Sequence, residues 1–226
     1  MLRVRKIFKD YFTFLPKRFL IYEIIGAVII LIISLIGRIL VASLPQIVGA
    51  LLLIYLMLLS IIDYFCFGGL GVKGSHLMEF VRSSPYGNRF IRNAILAQSI
   101  FHIVLVLLVS VGNLEIVNLL VGGHNGLTLL VSGLAMAFAA ITLLAVSLLV
   151  TRKLARSWAE HIGWSYMIMV VGMILLLPII FLLGSSVALV IDIVVMAVEF
   201  VLAVLFETLL ISSGKKSFLR GYRDKE

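Results

Sequence analysis

Residues 73–89 read KGSHLMEFVRSSPYGNR and form the one long polar interruption in the first half of this chain. On either side stand apolar runs long enough to cross a bilayer, for which about 20 residues are needed. A connector of this kind between two such runs makes the chain a multi-pass membrane protein and places the stretch at a membrane face.

The rest of the composition agrees. Of 226 residues, 62% are hydrophobic and 13% charged, and the mean hydropathy is +1.20. A soluble domain of this size cannot hide so much apolar surface. In lipid each backbone polar group must be satisfied internally, so the crossings are helices. The apolar runs are continuous rather than alternating, which excludes a β-barrel. The expected fold class is an all-α membrane protein, a single transmembrane domain over 1–226. Six transmembrane helices are expected near 19–42, 47–67, 93–120, 127–150, 164–183 and 187–211, leaving a tail at 212–226. The outer part of the third (Asn113, Glu115, Asn118) is expected to tilt out of the bilayer or lie at its surface.

Orientation follows from the basic residues. Of 19 Lys and Arg, all but Arg38 fall on one side under this scheme: in the N-terminal segment, the loops around 73–92 and 152–156, and the tail. Both termini are therefore expected in the cytoplasm, in a multi-pass membrane protein. The net charge of +8 reads as this asymmetry plus attraction to anionic lipid, not as nucleic-acid binding. The N-terminal basic region is too long for a signal peptide. Val4, Ile7, Phe8, Tyr11, Phe12 and Leu15 recur at helical spacing, which predicts an amphipathic interfacial helix over 3–15. The single cysteine, Cys66, can form no intrachain disulfide. The histidines show no metal-ligand spacing.

Within the opening stretch, Ser75–Arg82 has helix-forming character, and Ser83-Ser84-Pro85-Tyr86-Gly87 breaks it. Asn88 is placed to cap the following helix. One reading is a solvated connector. The other is a short helix parallel to the membrane that docks in a groove of another protein, within a loop at 74–88.

Lys73-Gly74, the Arg82-Ser83-Ser84-Pro85-Tyr86 turn and Arg89-Phe90-Ile91-Arg92 leading into the third run resemble the permease subunits of type-2 ABC exporters. That resemblance implies a coupling helix between spans 2 and 3, where Lys73, Gly74, Glu79, Arg82, Ser83, Pro85 and Arg89 would touch or position a partner ATPase. It also implies two copies of a separate ATPase, which would bind ATP and Mg, and a second permease copy, a homodimer in preference to a heterodimer. No phosphate-loop motif is present, so no cofactor and no enzymatic activity are expected of this chain itself. Larger family members have a sizeable external segment between spans 5 and 6; here only Gly184-Ser185-Ser186 joins them. By size rather than motif, the chain is similar to the small branch that exports amphipathic peptides such as phenol-soluble modulins or bacteriocins.

Ionisable residues inside the spans default to functional hypotheses. Asp192, Glu199 and Glu207 fall within roughly a quarter of a helix circumference. With His102 and Arg38 they are the substrate-path candidates. The alternatives for the three acids are a line facing a cargo cavity, a proton path, or pairing with Arg38, His102 or a serine on a neighbouring helix. Glu23 and Asp63 lie near the inner ends of spans 1 and 2, where Glu23 is expected to make a local salt bridge. Arg152, Lys153, Arg156, Glu160 and His161 form the polar set of a second inner loop over 151–164, flanked by the anchoring Trp158 and Trp164. Two other functions compete with the exporter: a proton-coupled secondary transporter using the span 6 acids, and a membrane enzyme, which would need a serine–histidine pair or paired aspartates at one depth.

Overall fold

The computed structural model describes residue 7 and residues 17–40, 44–67, 86–121, 126–155, 157–182 and 189–220. Those residues are almost entirely helical. The helices are α1 (Lys17–Leu40), α2 (Leu44–Phe67), α3 (Gly87–Leu107), α4 (Asn113–Val121), α5 (Gly126–Leu154), α6 (Trp158–Leu182) and α7 (Leu189–Arg220). A π-turn at Leu108–Gly112 joins α3 to α4 without a break. Five stretches have the length and apolar character to cross a membrane: Phe19–Gly37, Ile47–Phe65, Arg89–Leu120, Gly126–Leu154 and Asp192–Ser213. The expected interfacial helix at 3–15 and most of the 74–88 loop lie outside the described residues. Ile7 alone of the former is described, packed beside Ile62, Ile91 and Ile95.

The centre of the bundle is α5. It is apolar around its whole circumference, which is the pattern of a helix enclosed by others. Its buried positions are rich in small residues: Ser132, Gly133, Ala135, Ala137, Ala139, Ala140, Ala145 and Ser147. In lipid, small residues replace the hydrophobic effect as the basis of helix association, because they let backbones approach and gain dispersion contacts. At Gly133 an added Cβ would lie 3.3 Å from the Val111 Cα. α7 lies along α5 in the most extensive helix pair of the fold, and α6, α2, α3 and α4 complete the ring. α1 packs on α2 and α4 at the periphery, its Ile-rich outer face exposed.

The observed helices depart from the expected spans in instructive places. The outer part of the third run packs on the bundle: Leu114 and Val117 are fully buried in the main core with α5. The wider π-turn shifts the register of the helical faces and brings α4 back onto the bundle. Asn88 is not the cap of α3; Tyr86 holds that position without a side-chain cap hydrogen bond. The 151–164 loop contracts to a tight turn, because α5 continues to Leu154 and α6 begins at Trp158. Ser157 Oγ accepts the Glu160 N–H at 3.3 Å, the interaction that starts a helix. α7 likewise runs past residue 211 to Arg220.

Candidate functional site

We call the base of the bundle the end where α2 and α5 finish and α3 and α6 begin. A closed polar ring lies there, buried among the helices. Asp63, one turn before the end of α2, accepts from Arg152 near the end of α5, through Nη2 on Oδ1 and through Nε on Oδ2 at 3.3 Å. Gln98 of α3 closes the ring. Its Nε2 donates to Asp63 Oδ1 at 2.6 Å, and its Oε1 accepts from Arg152 Nη2 at 2.6 Å. Asp63 is 1% and Gln98 2% exposed, and the Arg152 side chain 6%. Only arginine offers a planar fork that can grip a carboxylate and an amide at once. A charge pair in such surroundings persists because both partners are hydrogen-bonded to each other and to Gln98.

Next to Gln98 on α3, the Ser99 hydroxyl bonds the carboxylate of Glu207 on α7. Two adjacent residues of α3 thus reach α2, α5 and α7. One turn further along α3 lies His102, 2% exposed, whose Nε2 has no partner among the described residues.

A second, uncharged cluster ties α6 to the same pair of helices. Ser60 of α2 and Ser165 of α6 share a hydrogen bond of 2.6 Å, and Ser147 of α5 donates to Ser165 at 3.4 Å. His161 Nε2 lies 2.9 Å from the Ser60 carbonyl oxygen and 3.4 Å from its hydroxyl. A carbonyl only accepts, so the shorter contact puts the proton on Nε2. That nitrogen then has no lone pair for the Ser60 hydroxyl, and the pair is not poised as nucleophile and base. Burial holds His161 below the usual imidazole range, with Asp63 and the Ser60 carbonyl pulling the other way. Tyr64 packs against the His161 ring at a centroid separation of 5.1 Å, and Tyr64 and Phe65 meet the Trp158 ring in tilted arrangements at 4.8 and 4.9 Å.

The paired-aspartate arrangement is also absent among the described residues. Asp63 is joined to Arg152, whereas Asp192 accepts from Ser132 Oγ at 3.1 Å. Ser132 and Arg152 are separated along α5 by about 30 Å at 1.5 Å per residue. No group of three or more His, Cys, Asp or Glu side chains among the described residues could hold a metal ion.

The residues singled out in the sequence are thus divided. Lys73, Gly74, Glu79, Arg82, Ser83 and Pro85 lie outside the described residues, as does the side chain of Arg38. Arg89 is exposed in the first turn of α3. The three α7 acids all turn inward: Asp192 is 0%, Glu199 9% and Glu207 8% exposed. Two of them bond serines on neighbouring helices, Asp192 at the far end and Glu207 at the base. Glu23 departs from expectation. It is completely buried, and neither carboxylate oxygen has a partner among the described residues. It sits on the face of α1 that meets α2, where Tyr55 donates to the Glu23 carbonyl at 3.2 Å.

Sequence reasoning missed the Asp63–Gln98–Arg152 ring. Its one legible signal is that Asp63 and Arg152 each stand within about one turn of the same membrane face. Comparison with protein-family models, with curated proteins and with solved structures returned no match.

Proposed function

We propose that this chain is the permease subunit of a type-2 ABC exporter in a bacterial cytoplasmic membrane. In this reading α6 supplies the fifth of six crossings, over 164–183, and both termini lie inside. A second copy of the chain completes the path, and two copies of a separate ATPase supply the ATP cycle with Mg. The cargo is an amphipathic or hydrophobic peptide, exported for toxin secretion or self-protection.

The observation that supports this best is the build of the α3 base. Arg89 and Arg92 are exposed on one side, while Ile91, Ala94 and Ile95 are buried on the other against Ile62 and Ile211. A basic rim on a helix start so anchored is what an ATPase needs in order to push on a membrane bundle. The segment at 68–85, which carries the exporter-like motif, runs directly into that rim. The test is co-purification of the chain with an ATPase, followed by Arg82→Glu and Arg89→Glu. Both reversals should abolish ATP-coupled transport and leave membrane insertion intact. Coupling that survives both reversals refutes the assignment of this segment.

One observation favours a second reading, transport coupled to protons. His102 Nε2 and Glu207 Oε2 are both buried without a partner among the described residues, and both side chains feel the Arg152 charge. Transport that needs no ATPase and collapses with the proton gradient would establish it in place of the first.

A further inference from the structure

The exporter reading leaves open how a push at the base reaches the rest of the bundle. The lengths of the helices beyond the polar ring bear on this. On the base side of Asp63, α2 is described for four more residues, to Phe67. On the base side of Arg152, α5 has two, ending at Leu154. α3 instead begins at Gly87, so an arm of about 16 Å precedes Gln98 at 1.5 Å per residue. The segment between α2 and α3 joins the base end of that arm.

The ring is where the arm is pinned. Apolar contacts between helices slide, because one methyl replaces another at small cost. Hydrogen bonds to a buried charge do not, since their loss leaves the charge bare. At Gln98 the arm is bonded to α2 and α5 together. At Ser99 it is bonded to α7. α5 and α7 form the most extensive pair in the fold, and α7 carries the inward-facing acids. By contrast, α6 is held by the serine cluster, which contains no ion pair. The stronger joint is therefore on the α3 side and the more yielding one on the α6 side.

We infer that Asp63, Gln98 and Arg152, with Ser99 and Glu207 beside them, are the positioning residues that carry a displacement of the α3 base into α5 and α7. Gln98 is the hub, because its amide presents a donor to the carboxylate and an acceptor to the guanidinium. The inference rests on the exporter reading, and its test is built so that the two can fail separately.

The full chain is reconstituted in liposomes with its co-purifying ATPase, and two rates are measured. One is ATP hydrolysis. The other is export of a fluorophore-tagged amphipathic Leu/Lys peptide, expressed per ATP. Gln98→Leu should leave hydrolysis within about twofold of the parent and lower peptide exported per ATP about tenfold, the scale of coupling lost at such joints. The reciprocal Asp63→Arg/Arg152→Asp chain should recover most of the yield, because the Gln98 amide can flip to serve the reversed charges. Ser99→Ala keeps every charge in place, so it covers the case in which Gln98→Leu fails to fold. It should lower the yield about threefold. Parental yield per ATP in folded Gln98→Leu, or in Ser99→Ala, overturns the inference while the exporter reading stands. A parent chain that binds no ATPase and exports nothing with ATP overturns both.

Discussion

Replacing Arg152 by Met tests the energetics of the polar ring. The substitution keeps a long side chain and removes the bonds to Asp63 Oδ1, Asp63 Oδ2 and Gln98 Oε1. Asp63, 1% exposed, is left with Gln98 Nε2 as its one described donor. Breaking a buried pair from one side costs about 3–5 kcal/mol. At about 2–4 °C per kcal/mol for a chain of this size, the melting temperature should fall on the order of 10 °C. Removing the acid as well, in Asp63→Leu/Arg152→Met, should recover most of the loss. Adding Gln98→Leu should bring stability to within about 1 kcal/mol of the parent, because no buried polar group then lacks a partner. The order single, double, triple is the signature, since each further substitution raises stability. Thermal unfolding in detergent micelles, followed by the fluorescence of Trp158 and Trp164, measures it. An Arg152→Met chain that melts with the parent, or a triple variant no better than the single, would mean that water reaches the ring and that it pins nothing.

Gly133→Ala should cost about 1–3 kcal/mol, because the new methyl meets the Val111 backbone and the Leu114 side chain at 3.3 and 3.1 Å. Gly112→Ala, with nothing within 4 Å, should be neutral or stabilise by about 0.5–1 kcal/mol; the same melts separate the two. Ser132→Ala removes the hydroxyl that Asp192 accepts from and should cost about 1–3 kcal/mol; no change in the melt would place Asp192 in water. His161, outside the expected crossings, is held neutral by burial. Its contribution is complete above the unfolded imidazole value of about 6.5 and is lost as pH falls below it toward the depressed folded value, because the unfolded chain then binds the extra proton. Melting temperature should therefore fall on acidification through that window, and His161→Gln should flatten the dependence.

How much of this was legible beforehand varied with the range of the interaction involved. The existence of the apolar helices needed only local hydropathy. So did the polar break before α3, because lipid penalises any exposed backbone whatever its neighbours. The inward face of α7 was also legible, since Asp192, Glu199 and Glu207 share one side of the helix by spacing alone. Their partners were not. Ser132 and Ser99 are ordinary serines until two helices distant in sequence are set side by side. The same holds for Arg152. It reads as one cation in a basic loop, yet α5 runs on as helix to Leu154 and carries it into contact with Asp63, 89 residues away.

The sequence alone determined that this protein is almost entirely helical, with several helices long and apolar enough to cross a membrane, because the bilayer acts on each segment separately. Only the tertiary structure decided which buried charges meet, that α5 is the central helix, and that the π-turn folds α4 back onto it. Those outcomes depend on depth and rotation of one helix against another, set by packing at residues such as Gly133 and by hydrogen bonds that no single segment contains.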